Sequence, residues 1–231
     1  MILSTDNKKI AQVDVENRAR QSLGTSSEFV YQMVSRTLVQ PHLGGVLVDV
    51  GCGNGKLWSF VGDRFDYYVG VDAVHYTDLP IQTKFIPFNL DIAKVPLPEG
   101  YADVVCAVEI IEHLENPRAF IRELVKLTKP GGLVIVTTPN QLSLLSKLTL
   151  ILKNQFNAFQ EAAGLYPTHI TALLEVDLIR IFTECGLTEV QIEYSHCGRI
   201  PFTSWHWPKS PGFHGRAFSD NILCIGQKLK M

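Results

Sequence analysis

The stretch Asp49-Val-Gly-Cys-Gly-Asn-Gly55 limits what this chain can become more than any other. It follows Val46-Leu-Val-Asp-Val50, a β-branched run of the kind that forms a buried strand, and it precedes a helical pattern starting near Lys56. Glycine has no Cβ, so this spacing lets the main chain turn tightly and lets a ligand lie against bare backbone. A helix beginning there would present unpaired N–H groups to a negative or polar ligand group. Asp72 stands 21 residues past Gly51, closing the next apolar run, Tyr68-Val-Gly-Val-Asp72. An acid so placed can accept hydrogen bonds from ribose hydroxyls while repelling a 2′-phosphate.

A dinucleotide fingerprint reads G-x-G-x-x-G, whose third glycine admits close helix–strand packing. Here the pattern is G-x-G-x-G, with Lys56 at the fingerprint's last glycine. That departure disfavours a nicotinamide-dependent oxidoreductase.

Three more apolar runs follow: Phe85-Ile-Pro-Phe-Asn-Leu90, Asp103-Val-Val-Cys-Ala-Val108 and Leu133-Val-Ile-Val-Thr137. Near-continuous runs of this kind are buried on both faces, as parallel strands are. One crossover helix is well marked. Asn116 caps it and Pro117 takes its first position; Phe120, Ile121, Leu124, Val125 and Leu127 form the apolar stripe, and Pro130-Gly131-Gly132 ends it. The β-α-β alternation predicts an α/β, doubly wound, mostly parallel sheet. After Asn140 come an apolar helix over Leu142 to Lys153 and a second helix carrying Leu174, Leu178, Ile181 and Phe182. Two late strands, Glu189 to Tyr194 and Asn221 to Gln227, then form an antiparallel edge pair. The segment between them, residues 196–220, has no period; loops that long are lids or binding loops more often than filler.

Composition excludes whole classes. The 231 residues are 46% hydrophobic, too apolar for a disordered chain. Lysine and arginine number 21 against 23 acids, which argues against a phosphate-coating nucleic-acid binder. The five cysteines are scattered with no C-x-x-C pair, which suits a reducing compartment. The first residues lack a signal peptide's order and no run reaches the ~18 apolar residues of a membrane span, so the expectation is a soluble, cytoplasmic protein without stable membrane insertion.

Val48-Asp-Val-Gly-Cys-Gly-Asn-Gly55 resembles the first motif of class I S-adenosylmethionine-dependent methyltransferases. The resemblance runs on through Val71-Asp72, Asn89-Leu-Asp91 and Asp103-Val-Val-Cys-Ala-Val-Glu-Ile-Ile-Glu-His-Leu-Glu-Asn-Pro117. It closes with Lys129-Pro-Gly-Gly-Leu-Val-Ile-Val-Thr-Thr-Pro-Asn140. The Glu-Ile-Ile-Glu-His-Leu segment is similar to the ubiquinone-pathway O-methyltransferase branch. The resemblance implies a Rossmann-like seven-stranded sheet in the order 3-2-1-4-5-7-6, with only strand seven antiparallel. It also implies S-adenosyl-L-methionine as cofactor. Gly51, Gly53 and Gly55 would line its methionine portion, Asp72 would hold the ribose diol, Asp91 would face the adenine amino group, and Asp49 would orient the loop and the amino end. The chain then reads as one methyltransferase domain over 1–231: an N-terminal helical cover (1–45), a cofactor-binding core (46–140), and helices, late strands and an acceptor-side loop (141–231).

Methyl transfer from a sulfonium needs placement and a dry site, and a hydroxyl acceptor also needs a base. Glu109, Glu112 and His113 follow the fourth strand, where ligands gather in open α/β sheets. Histidine titrates near neutrality, so His113 is either the proton acceptor or a packing residue under the next helix. Glu112 orients it or the strand end, and charge complementarity sets Glu109 against the cofactor's cationic amino group. In similar enzymes a histidine at the place of His169 borders the acceptor pocket; the alternative is an ordinary loop histidine. Phe202, Trp205, His206, Trp207 and Phe213 either close over an acceptor or form a local mini-core. His196, Cys197, His206 and His214 match no zinc spacing, so no metal is expected. Leu142 to Leu152 reads as helix-over-sheet packing rather than a membrane-surface helix. Arg18, Arg20 and Tyr31, in the cover, have no assigned role. The expectation is O-methylation of a small-molecule hydroxyl, with two rivals: a nucleoside-binding module without turnover, and the oxidoreductase.

Overall fold

The protein, a computed structural model, is described here over residues 24–38, 43–90, 94–160 and 169–230. Asp91, Arg18, Arg20 and most of the expected N-terminal cover lie outside those residues.

Seven strands form one sheet: β1 (Val46–Val50), β2 (Tyr67–Asp72), β3 (Lys84–Pro87), β4 (Ala102–Val108), β5 (Thr128–Pro139), β6 (Leu187–Tyr194) and β7 (Asn221–Lys228). Their order is β3-β2-β1-β4-β5-β7-β6, as the resemblance implied. β1 to β5 pair in parallel, and β7 runs antiparallel to both β5 and β6. The helices are α1 (Glu28–Thr37), α2 (Trp58–Val61), α3 (Pro117–Leu127), α4 (Leu144–Lys153) and α5 (Glu175–Glu184).

Strand alternation divides the core into two layers. Val48, Val50, Val105, Ala107, Val134 and Val136 point to one face, under Phe120, Ile121 and Leu124 of α3 and Leu178, Ile181 and Phe182 of α5. Leu47, Val104, Cys106 and Ile135 point to the other, under Val30, Met33 and Val34 of α1 and Leu57 and Val61 around α2. Every central strand is covered on both sides, which explains why those strands read as unbroken apolar runs.

Asn116 caps α3, its Oδ1 accepting the Ala119 N–H at 3.0 Å, with Pro117 in the first turn. The helix ends at Leu127, three residues before Pro130. Thr128 turns extended and its hydroxyl donates to the Leu124 carbonyl, so Pro130-Gly131-Gly132 belongs to the entry of β5. That entry is irregular: Thr128 pairs with Ala102, but Leu133 pairs with Val104.

The expected packing of Leu142 to Leu152 over the sheet is not what the structure shows. Within α4 the buried side chains are Ser146 and Thr149, while Leu150, Ile151 and Leu152 are exposed. The inner side of α4 is committed to polar bonds. Ser146 Oγ donates to Gln141 Oε1 and accepts the Asn157 N–H, and Ser143 Oγ caps the helix by accepting the Ser146 N–H. No helix among the described residues is long and apolar enough to cross a membrane.

The 196–220 segment has its own small core. The Trp207 and Phe213 rings stack at 5.4 Å, and Phe218 meets both edge-on. Of the two alternatives, the ring cluster accounts for Trp207 and for Phe213, which still exposes 40% of its surface; Phe202 and Trp205 stand outside it at 79% and 73%. Arg199 bonds Asp220 at 3.0 Å, joining the two ends of the segment, and Arg216 bonds Glu175 at 2.6 Å, which ties it to α5.

Phe182 is fully buried, and a Cβ on Gly226 of β7 would sit 3.0 Å from its ring. Phe182→Ala should lower stability by about 3–5 kcal/mol through lost contact and the cavity left behind. Chemical denaturation at unchanged m-value measures this, and a loss below about 1 kcal/mol would show that α5 is not a core helix.

Candidate functional site

The carboxyl ends of β1, β2 and β4 lie side by side, because β1 pairs with both neighbours. The glycine loop leaves β1 there. Gly51, Gly53 and Gly55 all have left-handed φ, at 78°, 52° and 73°. Added Cβ atoms would fall 2.7 Å from Ile110 Cγ1, 2.0 Å from the Gly24 carbonyl and 2.6 Å from Pro80 Cδ respectively. The glycines therefore admit the chain's own segments as well as exposing backbone: Gly24 crosses the loop and its carbonyl accepts the Asn54 N–H at 2.8 Å. The helix expected near Lys56 is a single turn, α2 (Trp58–Val61). Lys56 N–H is taken by Asn54 Oδ1 and Trp58 N–H by the Gly55 carbonyl, so a helix N-terminus is not the binding element.

Asp72 points back at the loop. Its Oδ2 accepts the Gly53 N–H at 2.8 Å and its Oδ1 accepts the Val74 N–H at 3.0 Å. Burial raises its pKa, and these N–H bonds partly offset the rise. Asp49 is buried on β1. Its Oδ2 accepts the Tyr68 hydroxyl at 2.7 Å, while its Oδ1 has no partner among the described residues. Burial is the main cause that pushes Asp49 up to about 7.

Glu109, just past β4, has φ 51°. A non-glycine residue held there costs of order 1 kcal/mol and persists only when its surroundings fix it. Its N–H donates to the Thr137 hydroxyl at 3.0 Å and its Oε2 accepts Asn221 Nδ2 at 2.8 Å. Its Oε1 is buried without a partner among the described residues, and burial pushes the carboxyl up to about 7. Asn221 and Thr137 were not flagged by sequence reasoning. Asn221 lies 112 positions from Glu109, and only strand order unites them. Tyr31, previously without a role, is buried beneath this group; burial, and more weakly the charges of Asp49 and Glu109, raise its pKa.

Glu112 and His113 lie in a 3-10 turn, Ile111–His113. Glu112 is fully buried. Its Oε2 accepts the Thr138 hydroxyl at 3.1 Å, its Oε1 is unpartnered among the described residues, and its pKa is raised well above the usual range by burial and by Glu109. Its backbone carbonyl accepts the N–H groups of Ile170 and Thr171, which brings His169 to His113. The two imidazoles stand edge to face with centroids 4.7 Å apart. His169 Nδ1 lies 2.7 Å from the Ala158 carbonyl. A carbonyl only accepts, so Nδ1 carries the proton and Nε2 keeps its lone pair. Burial lowers the His169 pKa, favouring the neutral ring. Ligand-capable atoms of Glu112, His113 and His169 all lie within 4.8 Å of one another.

The structure thus gathers Asp49, Asp72, Glu109 and Glu112 at one sheet edge, all with raised pKa. A buried carboxyl with a raised folded pKa favours the fold below its unfolded pKa and loses that contribution as pH rises through the folded value. For Asp49, moving from 3.8 to about 7 is worth on the order of 4 kcal/mol. The ligand-free protein should lose stability between pH 4 and 7, and Asp49→Asn should lose less over that range. Unfolding midpoints against pH test this; parallel curves for the two proteins would refute the Asp49 contribution.

Comparison with known proteins gives the family and the fold. A methyltransferase-domain family model matches residues 26–192. A probable S-adenosylmethionine-dependent methyltransferase from Mycolicibacterium smegmatis is 27% identical over 174 residues, covering 74% of this chain and 67% of that protein. The mitochondrial ubiquinone biosynthesis O-methyltransferase of Rattus norvegicus is 28% identical over 195 residues, and the chain spans about half of its length, 52%. Among solved structures, a SAM-dependent methyltransferase from Archaeoglobus fulgidus has TM-score 0.64 at 17% identity, covering 90% of this chain and 97% of that one. A possible histamine N-methyltransferase from Thermotoga maritima has TM-score 0.58 at 16% identity, covering 87% and 89%. The chain belongs to the methyltransferase-domain family, on the fold of the class I S-adenosylmethionine-dependent enzymes.

Proposed function

We propose that this chain transfers a methyl group from S-adenosylmethionine to a hydroxyl oxygen of a small molecule. The observation that carries the oxygen assignment is the His113–His169 pair, with a neutral imidazole whose Nε2 lone pair is fixed by the Ala158 carbonyl on Nδ1. A hydroxyl must lose its proton as it attacks, and such a ring can take it.

The residues present suit the cofactor. Its ammonium and sulfonium are positive, and the crevice offers buried, unpartnered oxygens on Asp49 and Glu109. Carboxylates held neutral by burial ionise readily beside a cation. On this reading Asp49 and Glu109 hold the amino end, the backbone of Gly51, Gly53 and Gly55 lines the methionine portion, and Asp72 takes the ribose hydroxyls. Asp91, expected at the adenine, lies outside the described residues. The bound cofactor supplies an electrophilic methyl group.

The chain's own part is placement and proton transfer. The acceptor's proton passes to the His113–His169 pair, in which His169 offers the oriented Nε2 lone pair and His113 stands edge to face with it. Glu112 is a positioning residue: its side chain holds Thr138 at the end of β5, and its carbonyl holds the backbone of residues 170 and 171.

The spacing of Glu112, His113 and His169 favours a second reading, in which the three bind a divalent cation that polarises the hydroxyl. Chelation separates the two: inhibition by EDTA that added Mg²⁺ or Zn²⁺ reverses would select the cation.

His113→Ala should lower kcat about 10²–10⁴-fold with S-adenosylmethionine affinity unchanged, measured by release of S-adenosylhomocysteine and by calorimetry. A variant turning over at the normal rate would remove His113 as base, and a wild-type protein that binds the cofactor but never releases product would be a binding module. Asp72→Ala should weaken cofactor binding about ten- to a hundredfold, since bonds to a charged acceptor are lost; equal Kd values would refute that role.

A further inference from the structure

The pocket beside the site mixes apolar surface with many amide and hydroxyl groups. A cavity of about 480 Å³ opens between the start of α1, the end of β5, α4 and the 196–220 segment. That size suits a small organic molecule (about 300–1,000 Å³), with room for one or two sugar rings. It adjoins the catalytic groups on two sides. Asn221 in its wall bonds Glu109, and Ala158 in its wall bonds His169.

Ligand pockets are generally lined by apolar side chains with a few polar groups. Here Phe29, Pro139 and Ala158 are the main apolar surfaces, and the remaining wall is mostly amide and hydroxyl. Asn140, Gln141, Ser143 and Ser146 are buried in that wall. They are fixed before any ligand arrives: Asn140 Nδ2 donates to the Arg216 and Ser219 carbonyls, and Ser146 bridges Gln141 and the Asn157 backbone. This explains the inverted orientation of α4, whose polar side faces the cavity.

The wall also keeps hydrogen-bonding capacity of both kinds. Ser27 stands at the N-cap of α1, yet its hydroxyl makes no cap bond. Asn221 uses Nδ2 on Glu109 and leaves Oδ1; Arg199 engages Asp220 through Nε and leaves its terminal nitrogens. Asn157 accepts from Gln160 through Oδ1 and leaves Nδ2. A hydroxyl both donates and accepts, so a molecule rich in hydroxyls meets this mixture everywhere. An apolar aromatic ring would leave the hydrogen-bonding capacity of these groups unused. Charge is balanced, one Arg199 against one Asp220, so the wall does not select a strongly ionic ligand. Phe29, whose ring lies 6.4 Å from that of His206 and has Lys209 Nζ 5.3 Å from its centroid, supplies apolar ring surface for the C–H side of a pyranose.

We infer that the methyl acceptor is a neutral saccharide or glycoside, seated against Ser27, Asn157, Arg199 and Asn221 with Phe29 beside one ring face. The inference rests on the transfer reading above. It deepens that reading by naming the acceptor class.

The test uses the full chain with radiolabelled S-adenosylmethionine and two acceptor sets. One set holds methyl α- and β-glucopyranoside, methyl α-mannopyranoside, methyl β-galactopyranoside and maltose; the other holds catechol and hydroquinone. Label should pass to at least one glycoside. Asn157→Leu and Ser27→Ala should each raise KM for that glycoside about tenfold, with the Kd for S-adenosylmethionine unchanged. The Ser27 change removes only one hydroxyl and keeps the test valid if the Asn157 variant misfolds. Transfer to catechol or hydroquinone alone would leave methyl transfer standing and overturn the saccharide assignment, as would KM values unchanged in both variants. Bound cofactor with no transfer to any acceptor would overturn the transfer reading, and this one with it.

Discussion

The site depends on negative charge withheld from water. Asp49, Asp72, Glu109 and Glu112 are set by strand order at one edge of the sheet, and each is more costly to ionise there than in solution. A parallel sheet covered on both faces makes this possible, because its carboxyl ends form a crevice walled by helices rather than a solvated rim. Backbone N–H groups at Gly53 and Val74 steady Asp72. Asp49 and Glu109 each keep one oxygen without a protein partner. Such an arrangement is poor for a ligand-free fold and well suited to a cationic ligand.

Much of this was legible in the sequence. The central parallel strands announced themselves because burial on both faces demands unbroken apolar runs, whereas β3, at the sheet edge, is only partly buried; the capped start of α3 followed from Asn116 and Pro117. The acids were visible because they close strands. Partners brought in from far away were not: Asn221 reaches Glu109 through the β5–β7 pairing, and the Glu112 carbonyl draws in residues 170 and 171. Nothing in local spacing encodes these meetings. The end of α3 was misplaced because Pro130 and two glycines look like a stop signal, whereas the Thr128 hydroxyl terminates the helix first.

The largest misreading was α4. Its leucines and isoleucine suggested a face against the sheet, but composition does not say which side of a helix its neighbours need. Asn140 and Gln141 at the end of β5 require polar company, and Ser143, Ser146 and Thr149 provide it on the inner side. The 196–220 segment shows the same logic. Its aromatics divide between a compact ring cluster and exposed Phe202 and Trp205, a division that depends on tertiary placement.

The left-handed backbone at Glu109 sets two demands at one position. Glycine or asparagine there would ease the main chain, yet either would delete the carboxylate that Asn221 holds in place. Selection for heat tolerance alone should therefore push this position away from glutamate, and, on the transfer reading proposed above, a hardened descendant that has lost it would keep its shape while giving up its grip on a positively charged guest.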